Sequence, residues 1–127
     1  LLIVLICGSR DWVGLEESEL IKQELRQLPS DTIIIHGAAP GADSLAGFEA
    51  YLMGFEVIPV PADWDEHELQ AGPIRNRKML SGLLKARDAG YEVRVIAFHY
   101  DPKLGRGTRD MVAISEQHNI PVKKVIL

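Results

Sequence analysis

Two stretches of the chain carry residue types that suit the binding of an anion. Asp101-Pro102-Lys103-Leu104-Gly105-Arg106-Gly107-Thr108-Arg109-Asp110 follows a β-rich apolar run, Val93 to Phe98, and precedes a helical pattern that opens with Met111, Val112, Ile114 and Ser115. It reads as a strand, a glycine-bearing loop and the start of a helix. Glycine lets a backbone turn tightly and approach a ligand closely. The first turn of a helix has unpaired N–H groups and partial positive charge, to which Lys103, Arg106 and Arg109 add full charge. A phosphate is the chemistry this suits, although the Gly-Lys-Ser/Thr of a Walker loop is absent. The plainer reading is a surface turn capped by Thr108. The second stretch, Ala71 to Met79, places Arg75 in the first turn of a helix, where its charge opposes the dipole unless an anion or a carboxylate compensates.

Carboxylates are the other reactive groups. Asp43 follows a glycine loop, Gly37 to Ala42, and opens a helix. It suits the cap of that helix, a ribose hydroxyl, or the orientation of Arg10 or Arg75. Asp110 reads as a first-turn dipole partner or as a catalytic carboxylate. Trp12 and Trp64 each lie just past a strand and suit packing or the stacking of a base. Cys7 reads as a small buried hydrophobe. His36, His67, His99 and His118 form no metal-ligand spacing with one another or with Cys7, and no cofactor is called for. His36 reads as a hydrogen-bonded residue at a strand end.

These residues need a scaffold, and the chain supplies one in regular alternation. The expected strands are Leu2–Cys7, Thr32–His36, Phe55–Pro61, Val93–Phe98 and Val122–Leu127. Between them lie helical patterns over Leu15–Leu28, Asp43–Leu52, a helix from Gly72-Pro73 to about Arg87, and one ending near Asn119. Asp65 to Glu68 is expected as an acidic loop. Gly54 is a helix stop. The order predicts an α/β, Rossmann-like three-layer sandwich with a five-stranded parallel sheet, one domain over residues 1–127. Four glycine-, proline- or polar-rich loops then share the carboxyl edge of the sheet, where open α/β folds bind ligands. The first helix is a poor anion site, because Glu16, Glu17 and Glu19 crowd its start.

Composition bounds the answer further. The 127 residues suffice for one core, and 46% apolar with 25% charged residues is a globular balance. No apolar run of about 20 residues is present, so no membrane partner is expected. A single cysteine fits a reducing, cytoplasmic setting. A net charge of −4 argues against a coat for duplex DNA. The first residue is Leu rather than Met, so a natural start upstream is expected.

Gly8-Ser9-Arg10, His36 to Asp43, Pro61-Ala62-Asp63-Trp64, Ala71 to Met79 and Gly105-Arg106-Gly107-Thr108 occur in that order. Together they resemble the small YspA-related proteins of the SLOG superfamily, named for the DNA-processing protein DprA (SMF) and the cytokinin-activating LOG enzymes. The resemblance covers nearly the whole chain. It implies a Rossmann-like fold, a pocket for a nucleotide or nucleotide-derived ligand, and self-association, with no settled reaction. The expected contacts are Gly8, Ser9, Arg10, Gly37, Gly41, Asp43, Trp64, Arg75, Asn76, Gly105, Arg106, Gly107 and Thr108. Arg75, Asp43 and Asp110 are the candidates for catalysis.

The LOG pattern has Arg-Lys-x-x-Met on one helix and a glutamate three residues after the loop threonine. Here Asn76 replaces the lysine and Met111 the glutamate, so the pocket carries over better than the chemistry. If the chain is an enzyme, the resemblance points to hydrolysis of an N-glycosidic or phosphoester bond in a nucleotide. A DprA-like single-strand DNA module and a non-catalytic nucleotide sensor are the alternatives.

Overall fold

The computed structural model describes residues 1–127, with Glu68 described by its backbone alone. The strands are β1 (Leu2–Gly8), β2 (Ile33–His36), β3 (Glu56–Pro59), β4 (Glu92–His99) and β5 (Val122–Ile126). The helices are α1 (Leu15–Arg26), α2 (Ala42–Leu52), the single turn α3 (Trp64–His67), α4 (Ala71–Asp88) and α5 (Arg106–Gln117). All strand pairs are parallel, in the order β3-β2-β1-β4-β5. The expected Rossmann-like sheet is therefore present.

β1 explains why the sheet has two covered faces. Its residues are apolar without a break, and alternation sends them to opposite sides. Leu2, Val4 and Ile6 join Ile21 and Leu25 of α1 and Ala46 and Ala50 of α2 in one core. Ile3, Leu5 and Cys7 join Met79 and Leu83 of α4 and Met111 and Val112 of α5 in the other. The chain runs outward from β1 to β3, then returns to the far side of β1 for β4. The strand order reverses between β1 and β4, and the loops leaving the strands all emerge at one edge. Among the described residues no helix is long and apolar enough to cross a membrane.

Several boundaries differ from the sequence expectation. The segment expected as an acidic loop is helical: Asp63 Oδ1 accepts the Glu66 N–H at 3.0 Å and starts α3, and a 3-10 turn over Glu68–Gln70 leads into α4. α4 thus begins at Ala71, and Pro73 is its third residue, still in the first turn where a missing N–H costs no hydrogen bond. Arg75 and Asp110 consequently lie beyond the first turns of α4 and α5. The turn before α5 is made by Leu104 at φ 63°, while Gly105 is extended at φ −81° as the residue that precedes the helix.

Candidate functional site

The first two loops at the carboxyl edge are knitted together by backbone. The Ser9 N–H donates to the Phe98 carbonyl at 2.9 Å, and the Ser9 carbonyl accepts the N–H of Ala42 at 3.0 Å. A side chain at Gly8 would overlap the Phe98 carbonyl oxygen, and one at Gly41 would overlap the Ser9 carbonyl. These glycines allow the close approach of β1, β4 and α2. Arg10 emerges from this knot exposed, its guanidinium carbon 5.9 Å from the Trp64 ring centre, a cation–π distance.

The loop after β2 is held by His36 and Asp43. His36 Nδ1 accepts the Ala38 N–H at 2.9 Å. Asp43 Oδ2 accepts the N–H of Gly37 at 3.0 Å and that of Ala39 at 3.4 Å. Asp43 therefore pins the loop before its helix rather than capping the helix, whose first flanking residue is Gly41. Burial pushes the Asp43 carboxyl up to about 6, against the opposing pull of Arg75, the two loop N–H groups and Arg10. Burial, and then the charge of Arg75, hold His36 below the usual histidine value. Ala38 takes φ 57°, a left-handed conformation that costs a non-glycine residue about 1–3 kcal/mol and recurs where ligands bind.

Arg75 reaches this loop from α4. Its Nη1 donates to the Gly37 carbonyl, and its Nε donates to Asn76 Oδ1 at 3.1 Å. Burial lowers the proton affinity of the guanidinium, with Asp43 acting in the opposite sense; an arginine stays charged in such surroundings. The buried Asn76 turns away from the loop. Its Nδ2 donates to the Gly107 carbonyl at 3.2 Å and to Asp110 Oδ2 at 2.9 Å. Asp110 also pairs with Arg77 at 3.3 Å. Arg77 thus ties α4 to α5. Beyond it the Gly105 N–H donates to His99 Nε2 at 3.0 Å, and Thr108 is buried in the first turn of α5.

Between these groups lies a cavity of about 170 Å³. Arg10, Gly37 to Pro40, Pro61, Ala62, Trp64 and Arg75 line it, so it draws on the loops after β1, β2 and β3 and on α4. The described lining has two guanidinium groups, a half-exposed indole and no carboxylate. The start of α5 is a neighbouring position on the same edge, across the Arg75–Asn76 pair. Gly105 to Thr108 do not line the cavity itself.

A sequence profile described as the YspA, cpYpsA-related SLOG family matches residues 2–67. The chain is also 36% identical over 127 residues to the gene 61 protein of Mycobacterium phage D29, covering 94% of this chain and 92% of that protein. This chain belongs to the YspA/cpYpsA-related SLOG family.

In this SLOG protein the sequence-predicted residues fall into three groups. Arg10, Gly37, Trp64 and Arg75 meet at the cavity. Gly8, Ser9, Gly41 and Asp43 sit behind it and shape the loops. Asn76, Gly105, Arg106, Gly107, Thr108 and Asp110 gather where α4 meets α5. The two tryptophans part ways: Trp12 is fully buried and its Nε1 donates to the Glu17 carbonyl at 3.2 Å, while Trp64 walls the cavity. Cys7 is buried, and burial pushes its thiol up, so it is no thiolate nucleophile. Sequence reasoning missed Ala38 to Pro40 as cavity wall; a left-handed alanine leaves no compositional signal.

Proposed function

We propose that this SLOG protein binds a nucleotide-derived ligand, with a phosphate against Arg75 and Arg10 and the base beside Trp64. The observation that carries this reading is the cavity lining: two cations and an aromatic wall, with no carboxylate among the described residues to repel an anion. Arginine presents a planar fork of donors that matches phosphate. Two donors of Arg75 are already spent on Gly37 and Asn76, which fixes the fork in place before a ligand arrives. The start of α5, with Lys103, Arg106 and Arg109 exposed around it, supplies a neighbouring anion position for a ligand with more than one phosphate.

The reading is one of binding rather than cleavage. A reaction at the ribose anomeric carbon builds positive charge and calls for a carboxylate beside it. Asp43 faces the loop N–H groups, and Asp110 is engaged by Asn76 and Arg77.

Calorimetry with adenosine and its monophosphate tests the proposal. One charge-assisted contact contributes roughly 1.5–3 kcal/mol, so Arg75→Ala weakens monophosphate binding by about tenfold or more. Because Arg75 also supports the loop, Arg10→Ala serves as the second variant: Arg10 is exposed and lies against the Trp64 ring. Equal affinity for nucleoside and monophosphate overturns the reading.

A further inference from the structure

Arg75 is half-buried at the cavity, yet it has no ion pair. The two groups that accept its hydrogen bonds, the Gly37 carbonyl and Asn76 Oδ1, are both neutral. Among the described residues no carboxylate lies within ion-pairing distance of its guanidinium. Its Nη2 group has no hydrogen-bond partner among them either. Taking a cation partly out of water without a counter-charge is unfavourable, and an anion in the cavity offsets that. The charge of Arg75 is thus held in a fixed direction without being neutralised, and the residue that does this is its neighbour.

Asn76 is 4% exposed and bridges Arg75 to Asp110. Its Oδ1 accepts the Arg75 Nε–H at 3.1 Å. Its Nδ2 donates to Asp110 Oδ2 at 2.9 Å and to the Gly107 carbonyl at 3.2 Å. The amide fits only this way round. Exchanging its oxygen and nitrogen would set two donors face to face at Arg75, and two acceptors face to face at both Asp110 and Gly107. The start of α5 therefore fixes the direction from which Asn76 holds the guanidinium. Charge matters as much as direction. A carboxylate in place of the amide would bind Arg75 more strongly, but it would neutralise the charge that a phosphate needs. Asp110, the carboxylate beyond Asn76, is itself paired with Arg77 at 3.3 Å.

We infer that Asn76 is a positioning residue that sets the preference of the site for a phosphate, aiming Arg75 through a neutral hydrogen bond and standing between it and the Asp110 carboxylate. The inference rests on the ligand-binding reading above. It assigns Asn76 a role through Arg75, not a contact with the ligand, since Asn76 is absent from the cavity lining. It also separates two ways of weakening the site. Removing the amide frees the guanidinium to turn, and replacing it by a carboxylate quenches the guanidinium where it stands. Neither change touches the walls that would receive the base and sugar.

Calorimetry with adenosine and its monophosphate on Asn76→Ala and Asn76→Asp tests it, at a pH near 8 where the phosphate is fully ionised. Asn76→Asp keeps the size of the side chain and guards against a variant that fails to fold, and circular dichroism shows that each is folded. Wild type should prefer the monophosphate by about tenfold or more. Each variant should lose most of that preference, with adenosine affinity unchanged to within about twofold. In an Arg75→Ala background, Asn76→Ala should alter monophosphate affinity by less than about twofold, because it acts through Arg75. A wild-type preference that survives in a folded Asn76 variant overturns this inference and leaves the binding reading standing. So does an equal loss of both ligands, the mark of a merely structural role, and so does a loss that adds in full to that of Arg75→Ala. Equal affinity of wild type for the two ligands overturns the binding reading and this inference with it.

Discussion

Arg75 and Gly37 are locked together across the carboxyl edge of the sheet. The guanidinium donates to the Gly37 carbonyl, and a side chain at position 37 would overlap that guanidinium and lie 2.8 Å from Asp43 Oδ2. The glycine is thus the space into which the arginine fits, and the two act as one unit at the cavity.

Gly37→Ala is expected to displace Arg75 without touching its charge. Overpacking at a filled position costs about 1–3 kcal/mol of stability. Nucleoside monophosphate binding should fall by about tenfold or more, approaching the loss expected for Arg75→Ala. Thermal melts and calorimetry on the same samples check both effects. Full-strength binding by a folded Gly37→Ala protein would show that the position of Arg75 is unimportant.

Trp64 gives an optical readout of the same site. Trp12 is fully buried beside Phe98 and Tyr100, whereas Trp64 is 48% exposed at the cavity wall. A base stacked on Trp64 should change the indole emission, and Trp64→Phe should abolish most of that change. Stacking contributes about 1–3 kcal/mol per base, so Trp64→Ala should weaken binding by roughly fivefold to a hundredfold. A fluorescence response that persists undiminished in Trp64→Phe places the ligand elsewhere.

Much of this arrangement is legible in the sequence. The unbroken apolar run of β1 and the alternation of strands with amphipathic stretches lead directly to the parallel sheet, and the sheet brings the glycine loops to one edge. What sequence does not show is how the side chains divide once they arrive there. Asp43 has the position and chemistry of a helix cap, and only the fold reveals that the loop N–H groups of Gly37 and Ala39 compete for it successfully. Asn76 and Arg77 are neighbours of Arg75 in the chain, yet helical geometry sends them to α5 while Arg75 goes to the loop after β2. The pairing of Arg10 with Trp64 joins residues from two separate loops, and no local pattern announces it.

Asp43 should leave a signature in the dependence of stability on pH. Its folded-state value of about 6 lies above the ordinary 3.8, so the native state holds the proton more tightly than the unfolded chain does. The contribution is fully present below the unfolded value and is lost as pH rises through about 6. A shift of about two units corresponds to about 3 kcal/mol. Asp43→Asn removes the titration while keeping an oxygen for the loop N–H groups. Its stability relative to wild type should therefore rise by up to about 3 kcal/mol between pH 4 and pH 7. Parallel urea-unfolding series at each pH would contradict this if the difference between the two proteins stayed constant.

Base release from nucleoside monophosphates is expected to be negligible even where binding is strong. An oxocarbenium-like transition state needs a fixed carboxylate beside the sugar. The position that carries a glutamate in the LOG pattern is Met111, which is 1% exposed and packed in the core with Leu83 and Val112. Its side chain belongs to the interior, not to the edge where a ligand would lie. Asp110, one residue earlier, is held by Asn76 at 2.9 Å and by Arg77 at 3.3 Å, so its charge is already compensated between two helices. Losing one well-placed electrostatic group typically lowers turnover by about 10²–10³. Met111→Glu should fail to restore it, because an unpaired carboxylate in the core costs several kcal/mol and unfolds the site before it serves it. Incubation of the purified protein with nucleoside monophosphates, followed by chromatography for free base, checks the expectation. Rapid release that Arg75→Ala abolishes would mean that another carboxylate acts, and Asp43, behind Gly37, is then the first to substitute.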